Sequence, residues 1–305
     1  MIKISPSSLH ERGQCKRCIW LKYHLNYSWP FNAGLYPRFS ALEEDYVPTL
    51  DATKVLNNFT SGPISDAKWI DSKQNLQSTP IPGVESHGKG EVIIGGEFDL
   101  MASYVKDGVE RNAVIDCKST GKKSENSLQT WFRKSHRKEK DNFGYPPFAE
   151  MDERYEQEYI IKYLPQLASY AYCLENPASE EMIADYRWKE EELIHPPSNP
   201  KFRRFPQKEI SCEIGSVGIL MFLFEKNLEL HGNRFHFTCE SKWLEVDAGE
   251  KTWAEIVTPI AQNICNIIAL DDLPKPEMTC GNCSDDMNND SAVADALKKV
   301  VEMKR

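Results

Sequence analysis

The chain has 305 residues, 40% hydrophobic and 27% charged, with a net charge of −9 and nine cysteines. That length can hold one large domain or two small ones around a sizeable core, and the composition is that of an ordinary globular protein rather than a fibrous or disordered one. No apolar run is long enough for a transmembrane helix, and the acidic balance argues against a polyanion partner except where the charge is locally reversed.

The opening MIKISPSSLHERGQ lacks the apolar stretch of a signal peptide. A reducing, cytoplasmic setting is therefore expected (the host-cell cytoplasm, if the source is a virus), with thiols free for metal or core. Residues 3–25 read as one capped helix, started by Ser5-Pro6 with Ser7, Ser8 and Glu11 nearby. Within it Cys15 and Cys18 form Cys-Lys-Arg-Cys, a pair whose sulfurs can converge on one soft metal. The segment FSALEEDYVPTL reads as a short helix ended by Pro48. Phe39, Leu42, Glu43 and Tyr46 share one of its faces, so Glu43 looks inward while Glu44 and Asp45 look out. Residues 61–90, rich in Gly, Pro, Ser and Lys, read as loops with one short helix near Trp69.

Gly95 to Thr120 reads as two β-strands joined by the turn Val-Lys-Asp-Gly. The first strand carries Asp99; the second carries Asp116 and Lys118 as Asp-x-Lys. Residues i and i+2 of a strand share a face, so pairing of the strands would bring two carboxylates and one amine together. Hard divalent cations take such carboxylates together with waters and substrate phosphate, polarise a phosphodiester and acidify a bound water. A neighbouring lysine can orient that water or balance charge on the phosphate. The same Asp-x-Lys also describes a solvent-facing pair on an edge strand.

Between Gly121 and Lys140 stand Lys122, Lys123, Arg133, Lys134, Arg137, Lys138 and Lys140 against Glu125 and Glu139, a local charge of +5. Such a segment can hold a polyanion on an acidic protein, or be a solvated loop. From about Asp152 a helix carries Tyr159, Tyr163, Gln166, Leu167 and Tyr170 to Cys173, kinked or restarted at Pro165. Gln166 and Tyr170, four apart, lie on one face. Strand-like stretches follow at 182–191, 217–230 and 234–246, the second with the continuous apolar run of a central strand. His231-Gly232-Asn233 suits the turn between the last two. An amphipathic helix is expected from about Lys251 to Ala269, with Cys265 in the core. Cys117, Cys173, Cys212 and Cys239 also read as packing residues. DLPKPEMTCGNC then brings Cys280 and Cys283. No internal repeat or domain boundary is evident, so residues 1–283 read as a single domain and 284–305 as a polar tail with a short terminal helix.

In this order, SPSSL…CKRCIWL, GEFDL, VIDCKST and QLASYAY resemble the PD-(D/E)XK nuclease superfamily, in particular its RecB-type branch. The resemblance implies an α/β fold with a central mixed β-sheet flanked by helices, a restriction-endonuclease-like core. It implies a metal-dependent deoxyribonuclease, exonuclease-like, working on single strands or free ends in DNA processing, repair or defence. Asp99 and Asp116, with the backbone carbonyl of Cys117, would hold Mg2+ or Mn2+, and Lys118 would serve the attacking water. Gln166 and Tyr170 would position DNA or the lysine. The family's early acidic or histidine ligand matches poorly; Glu43 is the first choice, with Glu44 and His87 as alternatives, and Glu97 shares the Asp99 strand face. Lys122, Lys123, Arg133, Lys134, Arg137 and Lys138 would lie along the phosphate backbone. Relatives in CRISPR adaptation and helicase–nuclease complexes bind a 4Fe-4S cluster with one N-terminal and three C-terminal cysteines. This chain offers two and two, Cys15 and Cys18 with Cys280 and Cys283; the resemblance favours such a cluster, with structural Zn2+ as the alternative. The alternative reading is a catalytically inactive DNA-binding or recruitment module. A helicase or recombination partner would be a separate chain, and no membrane partner is expected.

Overall fold

The computed structural model describes residues 1–9, 15–25, 46–57, 63–121, 158–179, 181–182, 213–231, 234–247 and 251–275. Its elements are β1 (Ile2–Ile4), α1 (Pro6–Leu9), α2 (Lys16–Leu25), a 3-10 turn (Val47–Thr49), α3 (Ala52–Leu56), β2 (Ile64–Gln77), β3 (Val92–Lys106), β4 (Val109–Gly121), α4 (Glu158–Glu175), β5 (Ser216–His231), β6 (Arg234–Asp247) and α5 (Trp253–Ile268). Six strands form one mixed sheet in the order β1-β3-β4-β5-β6, with β2 also along β3. The fold is mixed α/β, a central multistranded sheet with a few helices. Among the described residues no helix is long and apolar enough to cross a membrane.

The sheet is organised by one tight hairpin. Asp107 and Gly108 have φ of +54° and +75°, the two left-handed residues that a twist-compatible two-residue turn requires. This turn sets β3 and β4 antiparallel in the register Leu100–Ile115 to Lys106–Val109. β5 then lies parallel to β4 from Ala113–Ser216 to Gly121–Phe224. A parallel strand buried on both faces needs an unbroken apolar run, and Val217, Ile219, Leu220 and Met221 are fully buried. β6 closes antiparallel on β5.

Alternation along the strands separates two apolar clusters. Met101, Val114, Val217, Ile219 and Met221 belong to the larger one with α2, α4 and α5. Leu100, Ala102, Tyr104, Ala113, Ile115 and Cys117 belong to the smaller one, with α3, Leu220 and Trp243. Cys173 and Cys265 are likewise buried; Cys212 and the side chain of Cys239 lie outside the described residues. α5 is started by a full capping box between Thr252 and Glu255. Its C-terminal carbonyls are met by side chains. Ile268 O accepts from Lys89 Nζ at 2.8 Å and is 2.8 Å from His24 Nε2, while Trp20 Nε1 donates to Leu270 O at 2.9 Å. So α2 is fastened to the end of α5.

Two expectations are corrected. The first is the continuous helix over 3–25. Ile2–Ile4 is instead a strand, parallel to Val92–Ile94, with short and longer helices after it. Ile2 and Ile4 are buried, a period-2 signal too brief to outweigh the Ser-Pro start beside it. Gly95 and Gly96 permit this approach. A Cβ on Gly96 would stand 2.5 Å from Pro6 Cδ, and one on Gly95 2.5 Å from Lys3 Cε. The second is the loop-and-helix reading of 61–90, where Ile64–Gln77 is a long strand antiparallel to β3. Its polar composition, two register shifts and Asp66 at φ +52° erase any clean alternation, as charged, bulged outer strands do. The expected helix near Trp69 is absent there; Trp69 Nε1 donates to Leu50 O at 2.9 Å. α4 runs through Pro165 without restarting. Residues 152–157, and all of 182–191 except Met182, lie outside the described residues.

Candidate active site

The last paired residues of the β3–β4 ladder are Leu100 and Ile115. The next positions in that register are Asp99 and Asp116, and there the strands part, β4 continuing along β5 alone. In place of a ladder bond, the Cys117 N–H donates to Asp99 Oδ2 at 2.7 Å. Asp99 lies two residues before Met101 and Asp116 two after Val114, which puts both on the α4 face of the sheet. Directly opposed like charges destabilise a sheet unless a cation intervenes. Lys118, two beyond Asp116, supplies one. Its Nζ lies 2.5 Å from Asp116 Oδ2.

α4 presents a stripe over this point. Gln166 Nε2 donates to Asp116 Oδ1 at 3.3 Å and to Tyr170 Oη at 3.2 Å. Ser169 Oγ donates to Gln166 O at 2.6 Å. Tyr163 sits one turn earlier, its ring centroid 5.3 Å from Lys118 Nζ. The spacing 163, 166, 170 follows one helical face. Tyr163, Gln166 and Tyr170 are buried, as is Asp116, whereas the Lys118 side chain keeps 27% of its surface. Asp99 is also only partly buried, so the cluster meets solvent through Lys118 and Asp99.

Burial alone would lower the Lys118 pKa, but the carboxylates of Asp116 and Asp99 outweigh it and hold the ammonium above its ordinary value. The lysine is a fixed positive charge at neutral pH. Burial first, and then the Asp116 charge, push the Tyr170 hydroxyl well above its usual value, so it stays neutral. Asp116 Oδ2 is buried and, apart from the ionic contact with Lys118, receives no hydrogen bond among the described residues. That oxygen is therefore held by the lysine's charge alone.

The other sequence candidates fall elsewhere. Glu43, Glu44, Lys122, Lys123, Arg133, Lys134, Arg137, Lys138, Cys280 and Cys283 lie outside the described residues. Glu97 is exposed, its Oε2 3.5 Å from Asn75 Nδ2. His87 faces α5, with Nε2 2.8 Å from Asn266 Oδ1. Cys15 and Cys18 are buried at the start of α2 with their sulfurs 3.6 Å apart. Among the described residues no three His, Cys, Asp or Glu side chains converge on one metal position. Sequence reasoning placed Tyr163 on the helix but gave it no part in the cluster; its signal was the three-residue step to Gln166. No family model matches the chain, and no curated protein or solved structure matches it.

Proposed function

We propose that the chain is a metal-dependent deoxyribonuclease on a PD-(D/E)XK-type core. The observation that carries this reading is the meeting of Asp99, Asp116 and Lys118 where β3 and β4 part. The donor set suits a hard divalent cation: two opposed carboxylates, one with a buried oxygen met only by the Lys118 ammonium. Mg2+ or Mn2+ held by Asp99 and Asp116 would supply polarisation of the phosphodiester and an acidified water. Lys118, kept protonated by its neighbours, serves as a cation rather than a base. It orients the attacking water or balances charge on the phosphate. Gln166 steadies Asp116 through its amide and ties it to Tyr170.

DNA as substrate is supported by the resemblance and by the basic run that begins at Lys122, four residues past Lys118. Single strands or free ends are the favoured form. The cysteine site is part of the same proposal, and the fit favours zinc over a 4Fe-4S cluster. Two thiolates on one tetrahedral Zn2+ stand about 3.8 Å apart, from Zn–S bonds of about 2.3 Å. The observed 3.6 Å matches that edge. In a cubane cluster each cysteine takes its own iron, which sets the sulfurs well beyond contact. Cys18 lies on, and Cys15 just before, the helix fastened to the end of α5, and Cys280 and Cys283 follow that end by about a dozen residues in sequence.

The test is cleavage of labelled single- and double-stranded DNA with Mg2+, Mn2+ or EDTA, by wild-type protein and by Lys118→Ala. Metal-dependent cutting that falls by roughly 100-fold or more in the variant is expected. The same preparation should contain zinc without acid-labile sulfide. Well-folded protein that binds DNA but never cuts would overturn the enzyme in favour of a binding or recruitment module.

A further inference from the structure

We propose that Tyr163 is a positioning residue for Lys118, a cation–π seat that aims the ammonium at the carboxylate pair. This rests on the nuclease reading for its purpose, though the contact itself does not. The lysine Nζ lies 2.5 Å from Asp116 Oδ2 on one side and 5.3 Å from the Tyr163 ring centroid on another. A cation within about 6 Å of an aromatic face is attracted by the ring's quadrupole. The ion pair alone leaves a long, flexible stem on a side chain that keeps 27% of its surface. The Tyr163 ring is held rigidly, 2% exposed and within the larger apolar cluster, so it gives the ammonium a fixed wall. Gln166, one helical turn on, orients Asp116 from the same α4 stripe. One helix therefore sets both the anion and the cation of the site.

The contribution belongs to the ring face and not to the hydroxyl, so Tyr163→Phe should keep kcat within about 2-fold. Stepwise fluorination of a phenylalanine placed at 163 keeps the shape while draining the negative face. Across mono-, di- and trifluorinated rings kcat should fall progressively, in total by roughly 2- to 30-fold for the usual strength of such contacts, with KM for DNA little changed. A merely structural ring would give a flat series, and that result would overturn the proposal. A second readout needs no catalysis. In protein labelled with 13C at lysine Cε, the Lys118 Hε signal, assigned by its loss in Lys118→Arg, should be shifted upfield by the ring current. The shift should survive in Tyr163→Phe and vanish in Tyr163→Leu. Its absence from wild-type protein would overturn the contact. Its presence in a protein that cuts no DNA would overturn the nuclease reading while leaving the contact in place.

Discussion

Two carboxylate–lysine pairs stand on opposite faces of one sheet, and they are finished differently. On the α3 face, Glu245 Oε1 accepts from Tyr104 Oη at 2.5 Å, Oε2 pairs with Lys106 Nζ, and Tyr104 Oη is 2.6 Å from Ser216 Oγ. Lys106 and Glu245 keep only 11% and 7% of their side-chain surface. Every oxygen in that network is engaged. On the α4 face, Asp116 has a long bond from Gln166 and an ion pair with the partly exposed Lys118, and it stands opposite a second carboxylate. A closed network fixes a structure, because each buried polar group has its partner. An open one of opposed like charges costs stability, and the opening is what a ligand would fill. The same two residue types thus do structural work on one face and are left available on the other.

The strongest way to break this comparison is Glu245→Gln. It leaves the Lys106 charge buried without its counter-ion, and removing one partner of such a pair costs about 3–5 kcal/mol. A urea titration should show a loss of that size, with cleavage per folded molecule unchanged. A loss under about 1 kcal/mol, or a selective loss of cutting, would mean that the α3-face network is not the structural one. Asp116→Asn should behave in the opposite way. Cleavage should fall roughly 100- to 1000-fold, the usual cost of removing an electrostatic group from a reacting centre. The unfolding midpoint should fall by less than in Glu245→Gln, since relief of the repulsion with Asp99 offsets part of the loss of the partly exposed Lys118 ion pair. If Asp116→Asn unfolds the protein as readily as Glu245→Gln while still cutting, the two faces have been read the wrong way round.

The same contrast explains what the sequence could reveal. Asp107-Gly108 announces the hairpin because only left-handed residues fit its turn. Asp116 and Lys118 are two apart, so their common face follows from strand geometry alone. The β5 run is legible because burial on both sides demands unbroken hydrophobicity. By contrast, β2 is polar and bulged, and β1 is three residues long; neither leaves a period to count. The Tyr104–Glu245 bond joins residues 141 apart, and the cation–π contact joins Lys118 on a strand to Tyr163 on a helix. Such pairings are set by how β5, β6 and α4 pack on the hairpin, which no local pattern records.

The mildest prediction tests the closed network through its phenol. Burial, and next the Glu245 charge, raise the Tyr104 pKa far above its ordinary 10.0, so the folded state holds the phenol neutral. The sign follows from linkage. The stabilisation from the neutral phenol is whole below pH 10, where the unfolded chain also keeps its proton. It is lost as pH rises further, because only the unfolded phenol then ionises. Tyr104→Phe should cost about 1.5 kcal/mol at neutral pH, the worth of one hydrogen bond to a charged acceptor. It should also remove this alkaline liability, so the wild-type and variant melting temperatures should converge between pH 10 and 11. Parallel curves over that range would show that Tyr104 ionises as easily folded as unfolded, and the α3 face would then be as open as the α4 face.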